Sequence, residues 1–260
     1  MKMPGLMGRL PYLLLIAIGV ASLGSLGLLD LDRVLRGARN TATFTTFLFP
    51  PNTNVLPTVT KAMVETVQIA FVGTFVGLTL ALPLSLLATR ALFGPAVTTP
   101  VRVLLSVVRT VPSLLWAIVF VVAFGLGPTA GALGIAAYTV GYLGKLLYEA
   151  LDGVDREVVE AVSSSGGSRL QLARFAVLPE GTNAILSQML FIFEYNVRSS
   201  TILGFVGAGG IGFYLLGYVQ LLQYQNLLTA LLVTLAVVLT IDQASAWLRA
   251  RVLPPVRRGV

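Results

Sequence analysis

Two opposite charges four residues apart inside an apolar segment are the side chains of this chain best placed for chemistry. Glu194 and Arg198 fall within residues 182–205, a window long and apolar enough to cross a membrane. In a helix this spacing puts both on one face, and glutamate before arginine is the favourable order for an ion pair. A charge at the bilayer centre costs about 2.5 to 3.5 kcal/mol on insertion scales. We therefore expect the pair to face a cavity or a second subunit and not lipid.

Two neighbouring polar residues extend this pattern. Thr201 lies on the same helical stripe as Glu194, whereas Asn196 is about 200° round the helix from Glu194 and should make a different contact. Two interpretations remain open: the charges hold helices together, or they line a path for a small anion, with Arg198 as the favourable charge. In both cases Glu194, Asn196, Arg198 and Thr201 are the candidates for a translocation path or an intersubunit contact.

The composition places the chain in a membrane. Of its 260 residues, 56% are hydrophobic and 11% are charged, against roughly 25% charged residues in soluble domains. It contains no cysteine and no histidine, which excludes disulfides and thiolate metal sites and removes the commonest general base and metal ligand. The net charge of +7 comes without a run of basic residues or an aromatic platform, so it indicates membrane orientation and not nucleic-acid binding.

Six apolar windows predict six transmembrane helices, and with them an all-α polytopic membrane protein in a single domain, 1–260. A spanning helix needs roughly 20 mainly apolar residues. The windows are residues 10–29, 63–88, 103–126, 130–148, 182–205 and 227–248. The first window could also be a signal peptide, but Ser22-Leu23-Gly24 is a poor cleavage site, so we expect a retained anchor.

The distribution of basic residues predicts that both termini are cytoplasmic. Lysine and arginine concentrate in the segments that lie inside if the N-terminus is inside, and the outer loops 127–129 and 206–226 carry none. The basic residues on the inner side are Lys2, Arg9, Arg90, Arg102, Lys145, Arg156, Arg169, Arg174, Arg249, Arg251, Arg257 and Arg258.

The exception to this distribution is the first outer segment, residues 30–61. Arg33, Arg36 and Arg39 recur there every three residues with apolar side chains between them. Such a pattern predicts a short amphipathic helix that lies at the outer interface. The pair Pro50-Pro51 should end that helix.

The longest charged loop, residues 150–181, is predicted to contain two short helices. Acidic residues crowd its first part and basic residues its second, with Ser163 to Gly167 as a flexible joint between them. Ser168 is suited to cap the second helix, and Pro179 should end it. A loop with no task need not keep two helices and a joint, so we expect this one to bind a partner.

The same loop resembles the signature segment of permease subunits of bacterial ABC importers. The residues that carry the resemblance are Glu160, Ala161, Gly166, Leu178 and Pro179. In that family the loop forms a coupling helix that sits in a groove of a separate ATPase. The resemblance implies a type I importer fold in the bacterial inner membrane and a complex with two ATP-binding subunits. It also implies that ATP and Mg are used by the ATPase, while this chain binds no cofactor and is not an enzyme.

A second block is similar to the permeases of phosphonate uptake. It runs from Phe193 to Gly204 and continues from Gly207 to Phe213, and Arg109-Thr110-Val111-Pro112 agrees with the same subfamily. This resemblance implies a homodimer that receives a phosphonate or a related phosphorus oxyanion from an extracytoplasmic binding protein. Together the two resemblances cover about residues 28–250.

The glycine-rich stretch Gly207, Gly209, Gly210 and Gly212 matches the G-x-G-x-x-G pattern of dinucleotide sites without their context. A dinucleotide site needs a preceding strand, whereas this stretch follows a membrane span. We expect a tight re-entrant turn and close helix packing at the outer mouth, with an anion-binding nest of backbone amides as the alternative.

The energy for transport has no source in the chain itself. There is no G-x-x-x-x-G-K-[ST] phosphate loop and no series of buried carboxylates, which implies a separate ATPase. Asp242 in the last window is expected to be paired or close to the cytoplasmic surface, and not to relay protons. Two alternatives stay open: a permease for another small solute such as methionine, and a membrane docking or signalling subunit that transports nothing.

Overall fold

The computed structural model describes the backbone of residues 6–252 and the side chains of residues 11–251, and every regular element in that part is a helix. The helices up to Pro51 form one compact unit and those from Asn52 onward form a second. The orientation charges predicted at Lys2, Arg9, Arg257 and Arg258 lie outside the described side chains.

The first unit contains two helices, α1 (Leu6–Ser25) and α2 (Leu31–Leu48). The first apolar window therefore ends as a helix at Ser25 and not at residue 29, because the chain turns at Gly27, whose φ of 73° is a left-handed conformation that favours glycine. Asp30 caps α2, since its carboxylate accepts a hydrogen bond from the Arg33 amide at 3.1 Å. The helix predicted for the segment 30–61 is thus present, and its place at the outer interface stays a prediction.

The second unit holds the remaining helices. In chain order they are α3 (Leu56–Ala88), α4 (Pro95–Thr110), α5 (Ser113–Phe124), α6 (Pro128–Asp152), α7 (Arg156–Ser164), α8 (Arg169–Leu172), α9 (Leu178–Leu203), α10 (Ile211–Gln220) and α11 (Tyr224–Val252). Within the described residues, four helices are long and apolar enough to cross a membrane, and α4 with α5 would make a fifth as one broken span. The described side chains of α1, Pro11–Ser25, form an apolar helix shorter than these spans, so the sixth predicted span stays a prediction.

The window 103–126 is not the straight span that the sequence predicted. Helices α4 and α5 meet there at an angle of 85°. The break lies at Val111 and Pro112, both of which have extended backbone. Proline lacks the amide that would continue the helix, and it drives the residue before it out of the helical region. The predicted third span is therefore two half-helices joined by a sharp bend.

Helix α6 is the centre of the second unit, because glycines let its neighbours approach closely. Gly73 and Gly77 of α3 form a G-x-x-x-G pair, and a Cβ added at either would lie 2.5 Å from a side chain of α6, namely Ile135 or Thr139. On α6 itself, a Cβ at Gly141 would lie 2.5 Å from the backbone nitrogen of Arg109. Helices α3 and α4 thus pack backbone to backbone against α6.

The prediction that Pro179 ends the second helix of the charged loop is wrong. Helix α8 continues through a π-helical turn at Ala173–Val177 into α9, so that one uninterrupted helix runs from Arg169 to Val206. Pro179 lies in the first turn after the π-helical segment. A proline is tolerated at such a position because the wider π turn has already shifted the hydrogen-bonding pattern. The charged loop is therefore joined directly to the fifth apolar window.

Candidate functional site

Helix α7 presents a polar surface away from the bundle. The carboxylate of Asp155 caps its start by accepting a hydrogen bond from the Glu157 amide at 2.9 Å. Glu160 and Ala161 are exposed. The opposite face of α7 is apolar and packs, through Val158, Val159 and Val162, against the cluster of Leu172, Ala173, Ala176 and Val177. Helix α7 is therefore amphipathic, with one face free and the other fixed to the base of α9.

The joint after α7 is a tight turn with defined bonds. Gly166 has a φ of 80°, and its amide donates to the carbonyl of Ser163 at 3.0 Å. Ser168 caps α8 in a reciprocal capping box with Gln171, as the sequence predicted for Ser168. The structure thus brings Glu160, Ala161 and Gly166 together on one exposed element. The two other residues of the signature, Leu178 and Pro179, lie apart from them in the first turn of α9.

The prediction that Glu194 pairs with Arg198 is wrong, since each binds a residue of α11. Glu194 pairs with Arg249 at 2.8 Å, and Arg198 pairs with both carboxylate oxygens of Asp242 at 2.6 Å. The two helices run antiparallel, so the residue nearer the start of α9 meets the residue nearer the end of α11. The prediction that Asp242 is paired is confirmed. Arg249 appeared in the sequence only as an orientation charge.

The other two residues of the predicted stripe bond within the protein. The Thr201 hydroxyl donates to the Arg198 carbonyl of its own helix at 2.6 Å. Asn196 is fully buried, and its side-chain nitrogen donates to the hydroxyl oxygens of Thr74 at 2.8 Å and of Thr139 at 2.9 Å. Asn196 therefore ties α3, α6 and α9 together, a different contact from that of Glu194, as predicted. Its burial inside one copy is inconsistent with a place on a path or an intersubunit face.

The glycine-rich stretch forms the tight turn that the sequence predicted. Gly207, Gly209 and Gly210 have φ values of 78°, 83° and 79°, which side chains rarely adopt. Gly212 packs directly on the carbonyl oxygen of Thr201, so a side chain there would clash with the end of α9. Helix α10 follows at once, so the predicted outer loop 206–226 contains a short apolar helix.

Backbone amides in this turn bind side chains of α3. The Glu65 carboxylate accepts a hydrogen bond from the Gly210 amide at 2.9 Å, and the Thr66 hydroxyl accepts one from the Ile211 amide at 2.8 Å. The start of α10, the positive end of its dipole, is thus neutralised by a carboxylate of the same chain. Glu65 was not singled out in the sequence, and an acid in the first turns of an apolar window is the signal that could have found it.

A cavity of about 580 Å³ adjoins this turn. Its walls come from the start of α3, the link between α5 and α6, and the glycine-rich turn. The residues that carry its polarity are Lys61 and Glu65, and Phe213 and Tyr214 of α10 supply aromatic surface. The cavity is open to a side of the molecule that the basic-residue distribution predicts to be the outer one.

Residues 73–258 match the family described as binding-protein-dependent transport system inner membrane component. The phosphite transport system permease protein PtxC of Stutzerimonas stutzeri is 36% identical over 229 residues, which are 86% of this chain and 82% of that protein. The phosphate-import permease protein PhnE of Mycolicibacterium smegmatis is 39% identical over 210 residues, 80% of this chain but 40% of that protein.

A solved structure shares the architecture. A chain of the MetNI methionine ABC transporter in an inward facing conformation superposes with a TM-score of 0.66, covering 76% of this chain and 98% of that chain at 22% identity. At that identity the likeness shows the fold alone, and it confirms the predicted type I importer fold. The chain belongs to the family of inner-membrane permease subunits of binding-protein-dependent ABC importers, non-catalytic subunits whose ATP hydrolysis is carried out by a separate ATPase.

Proposed function

We propose that this chain, as a homodimer, forms the translocation path for a small phosphorus oxyanion such as phosphite or a phosphonate. An extracytoplasmic binding protein delivers the anion, and two ATPase subunits drive its passage. The proposal on cargo is supported by the similarity to permeases named for phosphite and phosphate.

The main observation behind the proposal is the structure of α7, which has one exposed face and one packed face. Its exposed face, with Glu160 and Ala161, is free to enter a groove of an ATPase. Its apolar face packs on the π-helical segment that leads into α9. Because that contact is a packed apolar cluster, a displacement of α7 is transmitted to α9 and not absorbed by the joint. We therefore assign α7 as the coupling helix, on the cytoplasmic side of the membrane.

The apolar outer surface of α5 supports the membrane setting and a second copy. Leu115, Val119 and Val122 are exposed, Val122 to 83%. Such a surface is stable only against lipid or another apolar surface. Two copies that contact each other through their half-helices α4 and α5 would enclose a path that a single copy leaves open.

The test is uptake by the complex, reconstituted in vesicles with its ATPase and binding protein. The wild-type complex should take up labelled phosphite or a labelled phosphonate in an ATP-dependent way, and labelled methionine in the same vesicles tests the alternative cargo. We expect Glu160→Lys to lower uptake about tenfold or more, because a reversed charge in a groove contact is repelled by the partner surface. Stimulation of ATP hydrolysis by the loaded binding protein should fall with it.

The matched control is Asp32→Lys, which reverses an exposed carboxylate in the first turn of α2, outside the charged loop. It should transport like the wild type. Wild-type uptake and ATPase stimulation in Glu160→Lys would show that α7 is not the coupling helix. Uptake of methionine without uptake of phosphorus oxyanions would refute the proposal that the cargo is a phosphorus oxyanion.

A further inference from the structure

Arg109 has no carboxylate partner among the described residues, and in this it differs from three other arginines of the helix bundle. Arg102 pairs with Asp152 at 2.6 Å, Arg198 with Asp242 and Arg249 with Glu194. No described side chain pairs with the guanidinium of Arg109 or accepts a hydrogen bond from it, and its Nε atom is buried without a partner.

This unpaired cation packs against the middle of α6, a helix long and apolar enough to cross a membrane. Gly141 lies at the middle of α6 (Pro128–Asp152). Because it has no side chain, the backbone of Arg109 packs directly against it. A cation at this depth costs about 2.5 to 3.5 kcal/mol or more. Its position in the last turn of α4 offsets part of that cost, because the helix C-terminus is the negative end of the dipole. A full positive charge still remains for an anion to neutralise.

The bend after Arg109 adds a second source of positive potential. Helix α5 starts just beyond the bend, and no side chain caps its N-terminus. Broken membrane helices point such N-termini at anionic groups of substrates. The 85° bend therefore sets an uncapped helix start beside an unpaired arginine.

Three tyrosines, Tyr138, Tyr142 and Tyr195, supply neutral hydrogen-bond donors near the level of Gly141. Tyr138 and Tyr142 flank Gly141 on α6 and stack on each other with ring centroids 5.5 Å apart. Tyr195 of α9 stacks on both, at 5.7 Å and 6.2 Å. The backbone of Arg109 packs at Gly141, which lies between Tyr138 and Tyr142 in the sequence of α6. Tyr195 is 38% exposed, so the stack reaches from the buried Tyr138 to the surface of the bundle.

We propose that Arg109, the uncapped start of α5 and the stack of Tyr138, Tyr142 and Tyr195 form a transient oxyanion-binding site at the middle of the translocation path. The inference rests on the proposed function, since it names the place where the phosphorus oxyanion is held between the outer cavity and the cytoplasm. Charge-assisted donation from guanidinium nitrogens and donation from phenolic hydroxyls are the contacts that phosphorus oxyanions form. A site made of donors without a fixed carboxylate attracts an anion and also lets it leave.

The test compares Arg109→Gln and Arg109→Lys in the reconstituted complex, with labelled phosphite as the probe. Because a hydrogen bond to a charged group contributes about 1.5 to 3 kcal/mol, Arg109→Gln should lower uptake by about tenfold or more. Arg109→Lys keeps the charge but loses the planar fork of donors, so its uptake should lie between that of Arg109→Gln and that of the wild type. The binding protein should still stimulate ATP hydrolysis in both variants, since neither alters the coupling helix.

The matched control is Lys145→Gln, which removes a cation from α6 that already has a partner, Glu149, at 3.2 Å. It should transport like the wild type. Normal phosphite uptake by Arg109→Gln would refute the proposed anion site. The site would also be refuted if Arg109→Gln failed to assemble while Arg109→Lys assembled, because that result would assign Arg109 to a carboxylate of the second copy. A wild-type complex that takes up no phosphorus oxyanion would instead refute the proposed function itself.

Discussion

At the scale of single residues, two ion pairs fix α9 against α11. Glu194 with Arg249 and Arg198 with Asp242 connect helices that are far apart in the sequence. The side chain of Glu194 is only 11% exposed, whereas that of Arg198 is 50% exposed. The pair of Glu194 and Arg249 is thus shielded, whereas the pair of Arg198 and Asp242 is open to its surroundings. The interpretation that the charges hold helices together is the one that these contacts favour.

We predict that the Arg198 and Asp242 side chains act as a unit. Arg198→Ala leaves the Asp242 carboxylate without a partner and should destabilise the permease by about 1 to 2 kcal/mol, a value reduced for the exposure of the pair. Removing both charges in Arg198→Ala with Asp242→Ala should recover most of that loss. Thermal unfolding of the purified complex in detergent measures both changes.

Uptake by the same variants separates a structural role from contact with cargo. If the double variant stays as inactive as Arg198→Ala while its stability recovers, Arg198 binds the transported anion directly. If its uptake recovers with its stability, Arg198 serves only to hold α11 on α9, which is the outcome that we expect.

The residue scale also shows what the sequence could not predict. The spacing of Glu194 and Arg198 indicated correctly that both charges need partners within the protein. It could not name those partners, because a pairing between α9 and α11 depends on how two distant helices pack. For Arg109 the sequence offered a motif but no sign that the arginine is unpaired, since an absent counterion is visible only once the helices are placed.

At the scale of elements, the end of α9 and the start of α10 are held together by glycine. Gly204 and Gly212 face each other so closely that a Cβ at Gly212 would lie 3.0 Å from the Cα of Gly204 and would clash with the carbonyl oxygen of Thr201. Gly217, five residues further along α10, has open space around it. Close packing therefore requires a glycine at position 212 of α10, whereas it does not require one at position 217.

We predict opposite effects of alanine at these two glycines. Gly212→Ala should lower the free energy of unfolding by about 1 to 3 kcal/mol, because the extra methyl group forces the backbone of α9 to move. Gly217→Ala should leave the stability unchanged or raise it by up to about 1 kcal/mol, since alanine favours helix more than glycine does. Thermal unfolding in detergent measures both, and equal effects would contradict the packing.

Two prolines show why helix breaks were harder to predict than helices. Pro112 follows an extended Val111 and separates two half-helices at 85°. Pro179 follows helical residues and lies within one continuous helix. The two positions look alike in the sequence, and the difference arises from the π-helical turn before Pro179. The apolar windows predicted where helices are, and tertiary packing decided which of them are straight.

At the scale of the whole molecule, the distribution of basic residues predicts which side of the membrane each element faces. Helix α7 should lie in the cytoplasm, and the start of α6 should lie outside. The absence of cysteine from the sequence makes this prediction easy to test, because any introduced cysteine is the sole thiol.

We expect Ser164→Cys and Thr129→Cys to react from opposite sides. Both residues are exposed, Ser164 at the end of α7 and Thr129 in the first turn of α6. A membrane-impermeant maleimide added to intact spheroplasts should label Thr129→Cys, and it should label Ser164→Cys only after permeabilisation. The unmodified chain, which has no thiol, is the control. The reverse pattern would place α7 outside and exclude it as a coupling helix.

The uninterrupted helix from Arg169 to Val206 connects the charged loop to the glycine-rich turn. Its 38 residues span roughly 55 Å at 1.5 Å per residue. One end lies under the apolar face of α7, and the other ends in the glycine-rich turn beside the outer cavity. A rigid rod of that length converts a tilt of about 10° at its base into a movement of about 10 Å at its tip. If α7 is the coupling helix, a small motion in the ATPase groove would therefore be sufficient to open or close the outer cavity.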